Sequence, residues 1–403
     1  MIQNKEITSQ DKALSPCALY AGLVLSFVAC SAAGYYGKDH NPYVDFGRFH
    51  AFISPLSGFY PTACQVRALA KSTLTPEKIA VIVGGNSILQ GYAEDSVLWT
   101  EKLQRMLGDD YQVINFAMCS AQPIEFGGTA AEILSNDFKR VILITNGWPG
   151  TVAGAGVPDG SLYRYFFWDA YYKGLVSADQ PRENQLREME AQRADDAVFA
   201  ELKVRSRMDS FLYFEDLWNR LAYTRISTVW YPLLGAWSSR PRKKYADVPP
   251  GRSWPTIQDP SLAGLRQVIR GSVDTSPIKE AGRLPADGAS VPTCSPLQLN
   301  YKLCFPEPYR KRTLVLITHD NPRSVKLLSS QERFTYEKSF AATIAELEGA
   351  GFTALEIGKN FGDRDYIDRC HLSPPGGTHL AEEVAPKVRE LAQSLGYVVG
   401  SEP

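Results

Sequence analysis

The chain has 403 residues, of which 44% are hydrophobic and 22% charged, and its formal net charge is −1. This apolar content is enough for the core of one large domain or of two smaller ones. Because the charges nearly cancel, composition gives no reason to expect nucleic acid as a partner.

The N-terminal segment predicts contact with a membrane. Residues 17–36 contain no charged side chain, and about 20 apolar residues are enough to cross a bilayer as a helix. Three alternatives are a retained signal anchor, a signal peptide cleaved near Ser31-Ala32-Ala33, and a lipoprotein signal ending at Cys30. All three leave the rest of the chain outside the cytoplasm, periplasmic or at the cell surface. A buried core helix is the fourth alternative, and we assign residues 1–36 to a signal anchor or signal peptide.

The seven cysteines are compatible with an oxidising compartment. Cys294 and Cys304 bracket a short loop and are the best candidates for a disulfide bond. No CxxC pair occurs in the sequence, so we predict neither a metal site nor a cofactor.

The α/β pattern begins after a segment, residues 37–77, that we interpret as a stem, with a short helix predicted over residues 60–70 because Pro61 lies near its start. Ile79 to Val83 form an apolar, β-branched run that predicts a buried parallel strand. The glycines at 84 and 85 allow a tight turn directly after that strand. This turn would hold the Ser87 hydroxyl at the carboxyl end of the sheet, where open α/β sheets bind their ligands.

The rest of residues 78–150 alternates between strand and helix patterns. Strands are predicted over 111–116 and 140–145, and helices over 96–107 and 127–134. Right-handed crossovers between such strands build a parallel sheet with helices on its faces. The fold class is therefore α/β, a three-layer doubly wound parallel sheet.

The pattern stops over residues 151–311, which are rich in aromatic residues, arginine and proline. Residues 163–172 form a dense aromatic run, and residues 239–244 are basic. We interpret this insertion as a lid or substrate platform over Ser87, since aromatic faces stack on sugar rings or lie at membrane interfaces. The alternative is an insertion that only packs on the main domain.

The α/β pattern resumes over residues 312–403. Strands are predicted over 312–319 and 352–357, and helices over 330–349 and 378–395. Asp368 and His371 lie in the loop before the last helix.

Two motifs resemble the SGNH (GDSL-type) hydrolase family. Gly85-Asn86-Ser87 is similar to the family's Gly-Asp-Ser block after its first strand, with Asn in place of Asp. Asp368 and His371 have the spacing of its Asp-x-x-His block, and HLSPPGGTHLAEEVA is similar to its continuation into the last helix. The resemblance covers residues 78–150 and 312–395.

The middle blocks depart from the family's pattern. Ser120 stands where the family has the glycine that supplies an oxyanion donor, and Asn146 lies about two residues before the expected asparagine. The resemblance implies Ser87 as nucleophile, His371 as base and Asp368 as its orienting acid. It also implies an oxyanion hole formed by the backbone N–H groups of Ser87 and Ser120 and the amide of Asn146.

The resemblance implies serine-dependent acyl transfer or ester hydrolysis. The membrane segment and the aromatic insertion favour the membrane-tethered branch, whose members modify extracytoplasmic polysaccharides and cell-wall glycans by O-acylation. We therefore expect a glycan or acyl-ester substrate, a membrane contact through residues 17–36 and a membrane-bound protein as acyl donor. The alternatives are a non-catalytic SGNH-like subunit that binds a glycan or a membrane complex, and a lipolytic esterase.

Overall fold

The protein is built on a parallel β-sheet with helices on both faces. The computed structural model describes residues 15–40, 61–94, 97–117, 123–147, 165–192, 197–225 and 305–397. In this part of the chain the strands are β1 (Ile79–Val83), β2 (Tyr111–Asn115), β3 (Val141–Gly147), β4 (Thr313–Thr318) and β5 (Thr353–Ile357). They form one sheet in the order β2-β1-β3-β4-β5, and every pairing is parallel. The predicted α/β class is confirmed.

The helices of the described residues connect and cover these strands. In chain order they are α1 (Pro16–Gly37), α2 (Ala63–Thr73), α3 (Trp99–Leu107), α4 (Pro123–Ser135), α5 (Tyr165–Tyr172), α6 (Gln180–Gln192), α7 (Ala197–Leu212), α8 (Phe214–Arg225), α9 (Glu307–Arg310), α10 (Pro322–Val325), α11 (Ser330–Gly349) and α12 (Pro374–Ser394). Short 3₁₀ turns occur at Ser87–Gln90 and Asp363–Asp365.

The sheet separates two hydrophobic clusters. Ala80 and Ile82 of β1 belong to the cluster that contains α2, α4, α5 and α11. Ile79, Val81 and Val83 belong to the other cluster, with α3 and α12. Successive side chains of a strand point to opposite faces, so a strand buried on both faces has a continuous apolar sequence.

The strand order predicts where a ligand would bind. β1 lies between β2 and β3, so the chain leaves β1 and β3 toward opposite faces of the sheet. Open α/β sheets bind ligands at such a switch point, outside the carboxyl ends of the strands. Ser87 follows β1, and Asn146 lies near the end of β3.

The predicted stem is wrong for the part that the structure describes. Residues 61–77 contain α2, whose Ala63, Val66 and Leu69 are fully buried in the first cluster. Thr62 and Gln65 form a capping box at its start. The short helix predicted over residues 60–70 is present, with bounds shifted by about three residues.

The prediction of an aromatic platform is also wrong for the part of the aromatic run that lies in α5. Phe166, Phe167 and Trp168 are at most 4% exposed and belong to the first hydrophobic cluster. Large aromatic side chains bury much apolar area and here complete a core against α2 and α4. The basic patch at 239–244 and the cysteines at 294 and 304 lie outside the described residues.

Helix α1 is long and apolar enough to cross a membrane, the one such helix among the described residues. It could be a membrane anchor or a signal sequence. Most of its large apolar side chains are exposed.

Candidate active site

The turn after β1 depends on a glycine. Gly85 has a φ of +129°, a conformation that L side chains rarely adopt. A Cβ at this position would lie 2.5 Å from Asn146 Oδ1. Asn86 follows and caps the 3₁₀ turn, because its Oδ1 accepts a hydrogen bond from the Ile88 N–H at 3.1 Å. The sequence thereby presents Ser87 at the first position of that turn.

Asn146 holds this turn from the neighbouring strand. Its Nδ2 donates to Asn86 Oδ1 at 2.9 Å, and its Oδ1 accepts from the Asn86 N–H at 3.2 Å. Both asparagines are buried. An amide carries two N–H donors, so this contact leaves one for a ligand. The predicted oxyanion role of Asn146 stays a prediction, and its support of the Ser87 turn is a role that the sequence did not reveal.

The other two predicted oxyanion donors are backbone groups. The Ser87 N–H has no hydrogen-bond partner within the described part of the chain, and so it is available to an oxyanion. Ser120 lies outside the described residues.

Ser87, His371 and Asp368 form a continuous hydrogen-bonded chain. Ser87 Oγ lies 2.8 Å from His371 Nε2, and His371 Nδ1 lies 2.8 Å from Asp368 Oδ2. A carboxylate only accepts hydrogen bonds, so Nδ1 carries the proton and Nε2 accepts from the Ser87 hydroxyl. Both distances lie within the reach of about 2.6–3.2 Å expected for a nucleophile, its base and an orienting group.

Hydrogen bonds within residues 367–371 fix the loop that carries His371. Asp368 Oδ1 accepts hydrogen bonds from the backbone N–H groups of Cys370 and His371, each at 2.9 Å. The Ile367 N–H donates to the His371 carbonyl at 2.8 Å. Asp368 therefore fixes the loop with one oxygen and the imidazole with the other.

Asp320 and Asn321, which follow β4, support the histidine loop, and the sequence analysis does not predict this role. The Asn321 N–H donates to the Arg369 carbonyl at 2.7 Å, and its Nδ2 donates to the Asp368 carbonyl at 3.1 Å. Asp320 is buried and pairs with Arg369 Nε at 3.4 Å. The signal available in the sequence is a polar Asp-Asn pair directly after a buried strand.

The start of α12 presses against the loop that follows Ser87. A Cβ on Gly377 would lie 2.1 Å from the Tyr92 carbonyl oxygen. Thr378 Oγ1 accepts a hydrogen bond from the Glu94 N–H at 3.1 Å. The helix begins at Pro374, before its predicted start at residue 378, and its first turn joins the histidine loop to the serine loop.

His371 and Asp368 stabilise each other's charged forms. The hydrogen bond to Asp368 raises the pKa of His371 above its usual value, although burial acts in the opposite direction. Burial acts to raise the pKa of Asp368, but the hydrogen bonds from His371 and from the loop N–H groups outweigh it and hold that pKa below its usual range. The pair is therefore arranged to stabilise an imidazolium next to Ser87. The His371 side chain remains 39% exposed, so the site is open to solvent.

One group of metal-ligand type atoms occurs among the described residues. Asp368, Cys370 and His371 place one such atom each within 4.8 Å of the others. Asp368 and His371 already hydrogen-bond to each other through Oδ2 and Nδ1. We assign these two side chains to the hydrogen-bonded chain from Ser87.

No family model, no curated protein and no solved structure matches the chain. The interpretation of the site therefore depends on its geometry and on the two sequence motifs that it unites.

Proposed function

We propose that this protein catalyses serine-dependent acyl transfer or ester hydrolysis on an SGNH-like, doubly wound fold. The carrying observation is the chain from Ser87 Oγ through His371 to Asp368, with both distances at 2.8 Å. Ser87 lies far from Asp368 and His371 in the sequence. The three side chains together have the geometry of a nucleophile, its base and the acid that orients the base.

The geometry supports a two-step mechanism. Ser87 Oγ attacks the acyl carbonyl carbon while His371 Nε2 takes the hydroxyl proton. The oxyanion of the tetrahedral intermediate accepts a hydrogen bond from the Ser87 N–H, and we expect the Ser120 N–H and the second Asn146 N–H to join it. His371 then gives its proton to the leaving oxygen, and an acyl-Ser87 ester remains.

The second step determines whether the enzyme hydrolyses or transfers. Water or an acceptor hydroxyl loses its proton to His371 and attacks the acyl-Ser87 carbonyl. The bond to Ser87 Oγ breaks, Ser87 regains its proton, and an acid or a new ester is released. Both outcomes use the same residues.

The proposed substrate is an O-acyl ester on an extracytoplasmic glycan. The support is the membrane-length helix α1, the solvent-open site and the resemblance to membrane-tethered O-acyltransferases. A membrane-bound acyl-donor protein is the proposed partner for the transfer reaction. The aromatic run gives no support, because the part in α5 is buried.

A fluorophosphonate serine probe tests the assignment of the nucleophile. We expect covalent labelling of the full chain in detergent, loss of label in Ser87→Ala and His371→Ala, and retention in the control Ser394→Ala. Circular dichroism verifies that all variants fold. Equal labelling of Ser87→Ala and the parent would show that another residue reacts with the probe, and a folded parent without label would favour the non-catalytic glycan-binding subunit. Either result would contradict the proposal.

The acyl chain preference separates the esterase alternatives. We expect faster hydrolysis of p-nitrophenyl acetate than of p-nitrophenyl octanoate, since an O-acetyl glycan enzyme needs only a small acyl pocket. A preference for octanoate would instead indicate the lipolytic esterase. Release of acetate from an acetylated polysaccharide, absent in Ser87→Ala, identifies the glycan class.

A further inference from the structure

Helix α1 is docked onto the rest of the protein along its C-terminal half. Phe27 and Phe214 make an edge-to-face ring contact at 5.1 Å, and Tyr35 and Tyr213 make another at 5.2 Å. A Cβ on Gly34 would lie 2.2 Å from the Tyr213 carbonyl oxygen. The α7–α8 hairpin, residues 197–225, therefore fits α1 closely at the connection between its two helices.

Tyr213 shows that this connection is shaped for the contact. It is the one non-glycine residue with a positive φ among the described residues, at 54°. Bulky side chains rarely adopt this conformation. It allows α7 and α8 to meet almost without a loop, at the point that receives Gly34.

The length of α1 determines where the hairpin lies. Its 22 residues span about 33 Å at a rise of 1.5 Å per residue, and the hydrocarbon core of a bilayer is about 30 Å thick. Phe27 lies about 15 Å along the axis from Gly37. If α1 crosses a membrane, it has no spare length outside it, so the hairpin that contacts Phe27 must enter one leaflet.

The surface of the hairpin fits that position. Val204, Met208 and Phe211 follow helical spacing along α7, Trp218 and Leu221 do so along α8, and all five are more than half exposed. Phe211 at the tip is 75% exposed. Exposing such an apolar stripe to water is unfavourable in free energy. Beside α1, however, the stripe continues the apolar surface of the membrane helix.

Several charged side chains of the hairpin are paired in a way that suits lipid. Asp209 and Asp216 are buried and pair with Lys173, and Arg205 pairs with Glu215. Charged side chains at membrane depth are normally paired in this way. Glu201 and Arg207 are exposed beside the apolar stripe, so their charged ends would have to reach the headgroup level. Arg220 contacts the Gly37 carbonyl, so it marks the level at which α1 leaves the membrane.

We propose that the α7–α8 hairpin inserts its exposed apolar face into the leaflet next to the folded domain, alongside a retained helix α1. The occupant of this face is the lipid bilayer. The hairpin and α1 then form one membrane unit that fixes the height and orientation of the domain above the surface. This inference depends on α1 crossing the bilayer and is independent of whether Ser87 is catalytic.

Photo-cross-linking to lipid tests the proposal. The full chain is reconstituted into vesicles of phosphatidylethanolamine and phosphatidylglycerol with benzoylphenylalanine in place of Phe211 or, as a matched control, Phe334. Phe334 is 61% exposed on α11, which belongs to the main domain. We expect lipid adducts by mass spectrometry at Phe211 and none at Phe334.

Other outcomes overturn the proposal. A Phe211 adduct with residues 226–304 or with a second copy would identify another occupant, and equal lipid adducts at both positions would show non-specific insertion. A purified chain whose mass lacks residues 1–36 would remove the helix on which the proposal depends.

A second measurement avoids the unnatural residue. Lipids with brominated acyl chains quench nearby tryptophan fluorescence, and we expect Trp218→Phe to reduce the quenched fraction of the full chain. An unchanged quenched fraction would place Trp218 outside the bilayer and overturn the proposal.

Discussion

Asn146 Nδ2 donates to Asn86 Oδ1 at 2.9 Å, and this contact links the end of β3 to the residue before the proposed nucleophile. Asn86 Oδ1 also accepts from the Ile88 N–H, so one oxygen organises the whole turn. The pair is asymmetric, because position 86 must accept two hydrogen bonds at this oxygen whereas position 146 must donate one.

This asymmetry predicts opposite outcomes for two isosteric substitutions. Asn146→Asp replaces the donor with a carboxylate that faces Asn86 Oδ1, and an unsatisfied buried acceptor costs about 1–3 kcal/mol. The substitution also removes the second Asn146 N–H that is expected in the oxyanion hole, so we expect kcat/KM for p-nitrophenyl acetate to fall by about 10²–10³-fold. Asn86→Asp keeps the acceptor, so it serves as the matched control and should retain activity within about tenfold of the parent. Equal losses in the two variants would contradict the assigned hydrogen-bond directions.

The His371–Asp368 pair predicts the pH dependence of activity. The base must be neutral to accept the Ser87 proton, and Asp368 raises the pKa of His371 above its usual value. The ascending limb of kcat/KM against pH should therefore lie above the range of an ordinary histidine. In Asp368→Asn the limb should move to lower pH, because the charge that favours the imidazolium is gone.

The same variant should lose about 10⁴-fold in kcat, since the amide favours the wrong tautomer. Asp363→Asn is the control, because Asp363 pairs with Arg323 at 3.7 Å and not with the imidazole. An ascending limb that stays in place in Asp368→Asn would show that another group sets the pH dependence.

The sheet and the proposed triad could be predicted because each depends on a local or ordered pattern. β1 is an unbroken apolar run, and its predicted bounds agree with the structure. Ser87, Asp368 and His371 follow from two motifs placed in order around a sheet, since parallel strands bring their carboxyl-end loops together.

The supporting contacts could not be predicted because they join distant positions without a sequence pattern. Asn86 and Asn146 lie in different loops, and neither motif indicates that they meet. The aromatic run predicts a platform, whereas its part in α5 is buried, because the exposure of an aromatic run depends on the elements that pack against it. The docking of Phe27 on Phe214 depends on the whole arrangement of the intervening chain.

The close approach of α12 to the serine loop predicts the effect of adding one methyl group. In Gly377→Ala the new Cβ would lie 2.1 Å from the Tyr92 carbonyl oxygen, and the backbone must move. We expect a loss of about 1–3 kcal/mol in the free energy of unfolding, as for other overpacked sites. Activity should also fall, because the displaced loop directly follows the turn that carries Ser87.

Gly349 at the end of α11 is the matched control for this substitution. A Cβ there would have no neighbour within 4 Å. Gly349→Ala should change the free energy of unfolding by less than about 1 kcal/mol and leave activity unchanged. Comparable losses in the two variants, measured by denaturant unfolding, would show that the approach at Gly377 is not tight.

Lys173 is surrounded by three carboxylates in the interior next to α2. Its Nζ lies 2.7 Å from Asp169, 3.1 Å from Asp209 and 2.7 Å from Asp216, and its side chain is 1% exposed. Burial raises the pKa of Asp216 above its usual value, although Lys173 acts to lower it. The folded state therefore binds a proton at Asp216 more tightly than the unfolded state, and this group adds stability as the pH falls.

Lys173→Met should destabilise the protein by about 3–5 kcal/mol, because it leaves buried carboxylates without their cation. Lys71→Met is the control, since Lys71 is 54% exposed and pairs with Asp137 at 3.4 Å, and such surface pairs contribute about 0–1 kcal/mol. The deficit of Lys173→Met should shrink as the pH is lowered from 7 to 5, because the unpaired carboxylates are then protonated at less cost. Urea unfolding of the full chain in detergent at both pH values measures these differences. A deficit that is equal at the two pH values would show that the lost stability comes from packing of the lysine stem and not from its charge.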